Sequence, residues 1–184
     1  SAQGFAAYVS PPRFEVKVAP GQALRQVIEI QHVGRIAGRY RFYTADWTLG
    51  DDNQVTFSTE LAPDSCRPWV AIERRELTLE PGARYRFRFQ VTPPAEAPAR
   101  ECRFALMVEG MDPTAVPGAI SFPVSGRIGV IVYAGIGDVA PVLAIAGTET
   151  RTAQGKPVPF VRIANSGSAT GRLEGCLYAT AAGG

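Results

Sequence analysis

The chain has 184 residues, of which 46% are hydrophobic and 20% are charged, a composition that excludes a disordered or collagen-like protein. A formal charge of +2 is too small to indicate nucleic acid or an anionic membrane as the main partner. No apolar run approaches the roughly 18 residues needed to cross a bilayer, so membrane insertion is not expected. The 19 glycines and 15 prolines are spread between short apolar runs, a pattern typical of an all-β protein.

Alternation of apolar and polar residues predicts seven to nine short strands in the first part of the chain. They are expected at residues 14–18, 27–30, 39–43, 69–72, 77–79, 84–91, 104–108, 120–124 and 128–133. Turn signals lie between them, such as Pro20-Gly21, Asp51-Asp52-Asn53 and Pro81-Gly82. No segment shows helical periodicity, and the sequence therefore predicts an immunoglobulin-like β-sandwich.

A change of composition near residue 138 predicts a domain boundary. Residues 137–141 read as a linker, and three further strands are expected at 142–146, 158–164 and 172–179. Some 40 residues are too few to close the core of a second sandwich. We therefore expect an N-terminal domain at 1–138 and a partial second β domain, an incomplete immunoglobulin-like unit, at 139–184.

The three cysteines favour a disulfide over a metal site. Cys66 and Cys102 each precede a predicted strand, and two such starts can meet at one end of a sandwich, where a disulfide is feasible. We predict this bond, and the alternative is a pair of buried free thiols. Cys176 is left over. A zinc site needs about four closely spaced ligands, which the chain does not offer, and no metal or other cofactor is expected.

Catalytic motifs are missing from the sequence. The sequence has no G-x-S-x-G nucleophile motif for which the single histidine, His32, could act as the base. His32 is therefore expected at the surface or in a loop. Asp51, Asp52 and Glu60 lack the spacing of a calcium loop and read as a solvated turn. The protein is therefore not expected to be an enzyme.

Arginines alternate with aromatic residues in one predicted strand. Arg84, Arg86 and Arg88 have the opposite phase to the aromatic residues between them. The aromatic side chains should face the core and cannot stack on bases, so we interpret the arginines as a solvated outer face.

The segment 119–133 indicates an edge strand. Ile120, Phe122 and Val124 share one side, and Pro123 lacks a ladder donor, which places it at an edge or a bulge. The segment is either an ordinary paired strand or a strand that adds to the sheet of another protein.

The order of several motifs resembles the periplasmic pilus-assembly chaperones, the PapD-like family of two immunoglobulin-like domains. The motifs are Ser10-Pro11-Pro12-Arg13-Phe14-Glu15, Pro20-Gly21, Asp46-Trp47, Leu77-Thr78-Leu79-Glu80-Pro81-Gly82, Val91-Thr92-Pro93-Pro94 and Gly126-Arg127-Ile128-Gly129-Val130-Ile131-Val132-Tyr133. The last is similar to the archaic branch of chaperone–usher systems.

The resemblance implies particular binding residues. Ile120, Phe122 and Val124 would be donated to the incomplete sandwich of a fimbrial subunit. A basic pair would anchor the carboxylate at the subunit's C-terminus. Arg13 matches its first member, and we expect its guanidinium to be partly exposed with no carboxylate partner within the chain. Gly129 stands where the family usually has a lysine, so Arg127 is the expected substitute.

These expectations add up to a non-enzymatic periplasmic chaperone, exported with its signal peptide already removed. Its partners would be a pilus subunit and an outer-membrane usher, and the free protein should pair with itself through the edge strand. The alternative is an exported immunoglobulin-like protein with a structural or adhesive role in surface assembly and no pilin client.

Overall fold

The computed structural model describes residues 6–111 and 126–175. The chain divides into two compact units, Ser1–Asp138 and Val139–Gly184. Within the described ranges no helix is long and apolar enough to span a membrane.

The described residues are almost entirely β-strand and irregular structure, with one short 3-10 turn at Arg67–Trp69. The strands are β1 (Ala7–Ser10), β2 (Arg13–Val18), β3 (Leu24–His32), β4 (Gly38–Leu49), β5 (Val55–Ser58), β6 (Val70–Ile72), β7 (Glu76–Leu79), β8 (Arg84–Val91), β9 (Arg100–Gly110), β10 (Arg127–Ile136), β11 (Leu143–Ala153) and β12 (Lys156–Asn165).

The first unit is a sandwich of two sheets. One sheet has the order β1-β3-β8-β6, and the other has the order β2-β10-β9-β4-β5 with β7 also paired to β4. The two sheets enclose one core, in which the Phe42 and Phe87 rings stack 4.1 Å apart between centroids. Phe89 is nearly inaccessible and meets the edge of Phe104. The all-β fold and the immunoglobulin-type sandwich predicted from the sequence are confirmed.

The chain passes from the first sheet to the second between β1 and β2. β1 pairs antiparallel with β3 in the first sheet, and β2 pairs parallel with β10 in the second. Pro11 and Pro12 lie between them. Pro12 has no N–H to give to a sheet, so β2 cannot extend its ladder with β10 beyond Arg13 in that direction.

A disulfide joins Cys66 to Cys102, with 6.0 Å between the Cα atoms. Both residues are buried in the sandwich core. Both cysteines were expected directly before a strand. Cys66 instead precedes the 3-10 turn that leads into β6, and Cys102 lies inside β9, which begins at Arg100. The bond therefore ties the connection between β5 and β6 to the second sheet.

The described part of the second unit contains one antiparallel pair, β11 with β12. The two strands are longer than predicted and meet at a turn where Gln154 and Gly155 have positive φ. Residues 172–175 of the third predicted strand are not in a strand, and the rest of it lies outside the described residues.

The main differences from prediction are two strands that the alternation missed. β1 and β5 have four residues each and lie at edges of their sheets. Both are mostly exposed, so neither shows the regular apolar alternation that marks a strand with one buried face.

Candidate functional site

One edge of the second sheet is partly unpaired. On one side, β10 pairs with β9 along its whole length, from Arg127 to Ile136. On the other side, its ladder with β2 begins only at Ile131, which donates its N–H to the Pro12 carbonyl. Among the described residues, the first four positions of β10 therefore have no strand on this side. We call residues 127–130 the open edge.

The direction of the backbone groups follows from alternation along β10. The Ile131 N–H points toward β2, whereas Gly126, five residues earlier, accepts from the Gly110 N–H on the β9 side. Successive residues of a strand point their N–H and C=O groups to opposite sides. Arg127 and Gly129 therefore present these groups to the open edge.

The predicted donor residues Ile120, Phe122 and Val124 lie outside the described residues. They precede the open edge directly in the chain. Their role stays a prediction.

An aromatic and apolar cluster covers the outer face of the second sheet, on the side away from the core. Its buried centre is formed by Ala45, Trp47, Ala105 and Met107, with Tyr43, Phe57, Ile131 and Tyr133 packed around them. The Trp47 and Tyr133 rings meet edge to face, 5.4 Å apart between centroids. The Trp47 indole N–H is buried and has no hydrogen-bond acceptor among the described residues. We call this set the outer cluster.

The outer cluster reaches the open edge at Gly129. A Cβ atom built on Gly129 would lie 2.5 Å from Cζ of Phe57 and 3.1 Å from the Met107 sulfur. The Phe57 ring therefore lies directly on the β10 backbone. The sequence places a glycine where the resemblance leads one to expect a lysine, and the structure shows that Phe57 fills the space that its side chain would need.

A row of charged residues crosses the sheet next to Gly129. Arg127 of β10 lies opposite Glu109 of β9, which lies opposite Arg41 of β4. Arg41 donates a 3.0 Å hydrogen bond to Glu109. Burial opposes ionisation of Glu109, but hydrogen bonds from Arg41 and Tyr43 outweigh it and lower the pKa of this carboxyl.

Tyr43 belongs to the same row of interactions. Its pKa is raised, first by burial and then by its hydrogen bond to Glu109, while Arg127 opposes the increase. Arg127 is exposed, and its charge already acts on Tyr43 and Glu109 of its own domain.

The guanidinium of Arg13 was expected to have no carboxylate partner within the chain, and this expectation is wrong. Both Nε and Nη2 of Arg13 donate hydrogen bonds to the Glu15 carboxylate. Residues two apart on a strand share a face, and an arginine side chain spans that distance. The guanidinium also lies 4.2 Å from the centre of the Tyr133 ring. Its side chain is 28% exposed.

The structure separates the two predicted anchor arginines. Arg13 is level with Ile131 in the ladder between β2 and β10. Arg127 lies four residues earlier on β10, which corresponds to about 13 Å at the usual rise of a strand. Each guanidinium already has acidic or aromatic neighbours of its own.

His32 was expected at the surface or in a loop, and the structure corrects this. It ends β3 and is 3% exposed. Its Nε2 donates a 2.7 Å hydrogen bond to the Ile36 carbonyl, and its Nδ1 bonds the Tyr40 hydroxyl. A Cβ on Gly34 or Gly38 would collide with the ring, so the loop after β3 closes around the imidazole.

The arginines of β8 lie where the alternation places them. Arg84, Arg86 and Arg88 are exposed, and Phe87 and Phe89, which have the opposite phase, are buried. Arg84 and Arg88 form ion pairs with Glu29 and Glu73. This charged face does not adjoin the open edge, because β8 belongs to the other sheet.

Sequence reasoning missed Phe57 and Glu109. Phe57 lies in the unrecognised β5, and its contact with Gly129 joins residues more than 70 positions apart. A glycine inside a strand is the one local signal that another group approaches the backbone closely.

No protein-family model matches the chain, and no curated protein matches it in sequence. Its fold is nevertheless that of the PapD-like fimbrial chaperones. The crystal structure of the class 5 fimbriae chaperone CfaA is similar with a TM-score of 0.54 at 13% identity, covering 88% of this chain and 67% of that one. A chain from a structure of the chaperone–tip adhesin complex of CFA/I fimbriae biogenesis is similar with a TM-score of 0.53 at 12% identity, covering 88% of this chain and 67% of that one.

A third solved structure is a chaperone–tip adhesion subunit complex, CsuC–CsuE, from archaic chaperone–usher Csu pili of Acinetobacter baumannii. It is similar with a TM-score of 0.50 at 12% identity and covers 88% of this chain and 77% of that one. At identities this low, these structural similarities show the shared fold alone.

Proposed function

We propose that this protein is a periplasmic chaperone that holds an exported fimbrial subunit by strand addition and delivers it to an outer-membrane usher. The observation that carries the proposal is the open edge of β10, where Arg127 and Gly129 present backbone groups to the outside of the sandwich. A strand with free backbone groups is a template for a strand of another chain. Ile120, Phe122 and Val124 would continue this template into the subunit.

The fold supports this proposal, since solved fimbrial chaperones share it. The disulfide between Cys66 and Cys102 supports export, because such bonds persist in oxidising compartments such as the periplasm. Free edges also attract each other, so we propose that the protein without a client pairs with itself through the same strand.

The experiment compares Phe122→Asp with the matched control Ser121→Asp. Alternation places Phe122 on the donated side and Ser121 on the opposite side of the same segment. With the wild type as bait, the native periplasm should yield a bound subunit, identified by mass spectrometry. Phe122→Asp should reduce its recovery by about tenfold or more, since it places a charge in an apolar groove, and Ser121→Asp should not.

Stability and self-association are measured on the same variants. Phe122→Asp should keep the melting temperature of the wild type and lose dimerisation in sedimentation velocity. If Phe122→Asp unfolds the protein, the side chain belongs to the core and the donor assignment is wrong.

The arrangement around Arg13 favours a second candidate. Arg13 is already bonded to Glu15, and Phe57 fills the space beside Gly129, so the basic pair expected to anchor a subunit's terminal carboxylate is not preassembled. This would suit an exported structural or adhesive protein without a pilin client. Recovery of surface-assembly proteins but no pilin-like subunit in the same capture experiment would favour it.

A further inference from the structure

Backbone pairing at the open edge does not select the side chains of an added strand, whereas the outer cluster beside it can favour an apolar one. We propose, resting on the strand-addition function above, that Phe57, Gly129 and Ile131 form an apolar subsite for one side chain of the added strand. The occupant is an extended polypeptide segment whose residue beside Gly129 is aromatic or a large aliphatic residue.

The backbone determines the kind of occupant. Arg127 and Gly129 offer N–H and C=O groups along a strand edge, and an extended polypeptide satisfies alternating groups of this kind. Pro12 prevents this chain's own β2 from doing so, because it has no N–H to continue the ladder. The incoming strand would take the place next to β10 that β2 leaves open.

Gly129 determines where the subsite lies. Side chains of directly paired residues in neighbouring strands lie about 5 Å apart on the same face. A partner residue paired with Gly129 meets no side chain from it and contacts instead the Phe57 ring, which lies over that backbone. An aromatic ring that covers a glycine from a neighbouring position is a known stabilising device in sheets.

The surroundings favour an apolar side chain at this position. Phe57 and Ile131 are only half-buried, while Met107 beneath them is fully buried. The subsite therefore has a closed apolar floor and a partly exposed apolar rim, and an incoming apolar side chain would remove that rim from water. A charged side chain would lose hydration against the ring and find its nearest opposite charge already engaged, since Glu109 bonds Arg41.

Neighbouring positions define the limits of the subsite. Ile131 lies two residues after Gly129 on β10, and its outer side is already paired with Arg13 of β2. Arg127 lies two residues before Gly129 and is exposed and charged. The preference for an apolar side chain is thus confined to the one partner residue beside Gly129, because the position at Ile131 is already paired and the position at Arg127 is polar.

The test uses a soluble host peptide, eleven residues of alternating threonine and valine with two lysines at each end and a fluorescein label. In a guest peptide, one central threonine is replaced by phenylalanine. Binding is measured by fluorescence anisotropy, and pairing at the edge by the ¹⁵N-detected amide signals of Arg127 and Gly129. We expect the guest peptide to bind the wild type about fivefold more tightly than the host, the upper range for an aromatic cross-strand pair.

Variants assign the gain to Phe57. Phe57→Ala should abolish the difference between guest and host peptides, and Phe57→Leu should keep most of it. Val55→Ala removes another exposed apolar side chain from the same strand and should leave the difference unchanged. Melting temperatures show that each variant is folded before it is compared.

The outcomes separate the subsite from strand addition. If both peptides shift the Gly129 amide but bind equally, the subsite is wrong and strand addition stands. If the Gly129 amide is already protected from exchange in the monomeric protein, another part of the chain occupies the edge. If no peptide shifts this amide at millimolar concentration, the edge does not pair. In either case both proposals are wrong.

Discussion

Arg13 and Glu15 form an ion pair on one face of β2, in which the arginine Nε lies 2.9 Å from a carboxylate oxygen. The pair is in the strand that leaves the β10 edge open, and the same guanidinium lies over the Tyr133 ring of the outer cluster. A client carboxylate at Arg13 would therefore have to compete with Glu15.

Glu15→Gln should release Arg13 for a carboxylate from outside the chain. Because the pair is partly exposed, its loss should change the free energy of unfolding by less than about 1 kcal/mol. If Arg13 anchors a client, Glu15→Gln strengthens capture of the subunit and Arg13→Ala abolishes it at nearly unchanged melting temperature. A large loss of stability in Arg13→Ala with capture intact would make Arg13 a purely structural residue.

The disulfide between Cys66 and Cys102 should dominate the stability of the first unit. It closes a loop between residues 36 positions apart, which corresponds to about 3 to 4 kcal/mol in the chain-entropy model. The double variant Cys66→Ala/Cys102→Ala should lose at least this amount in urea unfolding, and Cys176→Ala should lose none. Titration of three free thiols in the unfolded, unreduced protein would contradict the bond.

Glu109 should make stability depend on acid pH. Its pKa is lowered in the folded protein against an ordinary value of 4.5, because the hydrogen bonds from Arg41 and Tyr43 exceed the effect of burial. A lowered pKa contributes stability that is present above the unfolded value and lost as the pH falls through the folded value. Glu109→Gln should therefore lower the urea midpoint at pH 7 and differ little from wild type at pH 3.

Glu80→Gln is the matched control for that measurement. Glu80 is an exposed glutamate in the turn after β7 and should show little difference at either pH. An equal loss in Glu109→Gln at pH 7 and pH 3 would mean that the glutamine disturbs packing and that the charge is not responsible.

Gly129 and Phe57 should be energetically coupled. Gly129→Ala places a methyl group against the Phe57 ring, and overpacking of this kind costs about 1 to 3 kcal/mol. Removal of the ring should relieve the collision, so the double variant Gly129→Ala/Phe57→Ala should be more stable than the sum of its single variants predicts. Additive losses in urea unfolding would show that the ring moves away without cost.

Local alternation was sufficient to predict the strands that have one buried face. In β8, the phase of Arg84, Arg86 and Arg88 against the buried phenylalanines follows from the period of two and needs no knowledge of neighbouring strands. The pair Arg13 and Glu15 is of the same local kind, two residues apart on one strand, and was within reach of sequence reasoning although we expected a free guanidinium there.

Contacts between distant segments were decided only by the tertiary structure. The burial of His32 depends on a loop that closes over its ring and on Tyr40 from the next strand. The position of Phe57 over Gly129 depends on how β5 packs, and a strand of four residues, three of them exposed, carries no periodic signal of that packing. Periodicity is a property of one strand, whereas register and the packing of one strand on another depend on residues far apart in the chain. Such packing places the Phe57 ring beside Gly129, in the space that the family's lysine side chain would need.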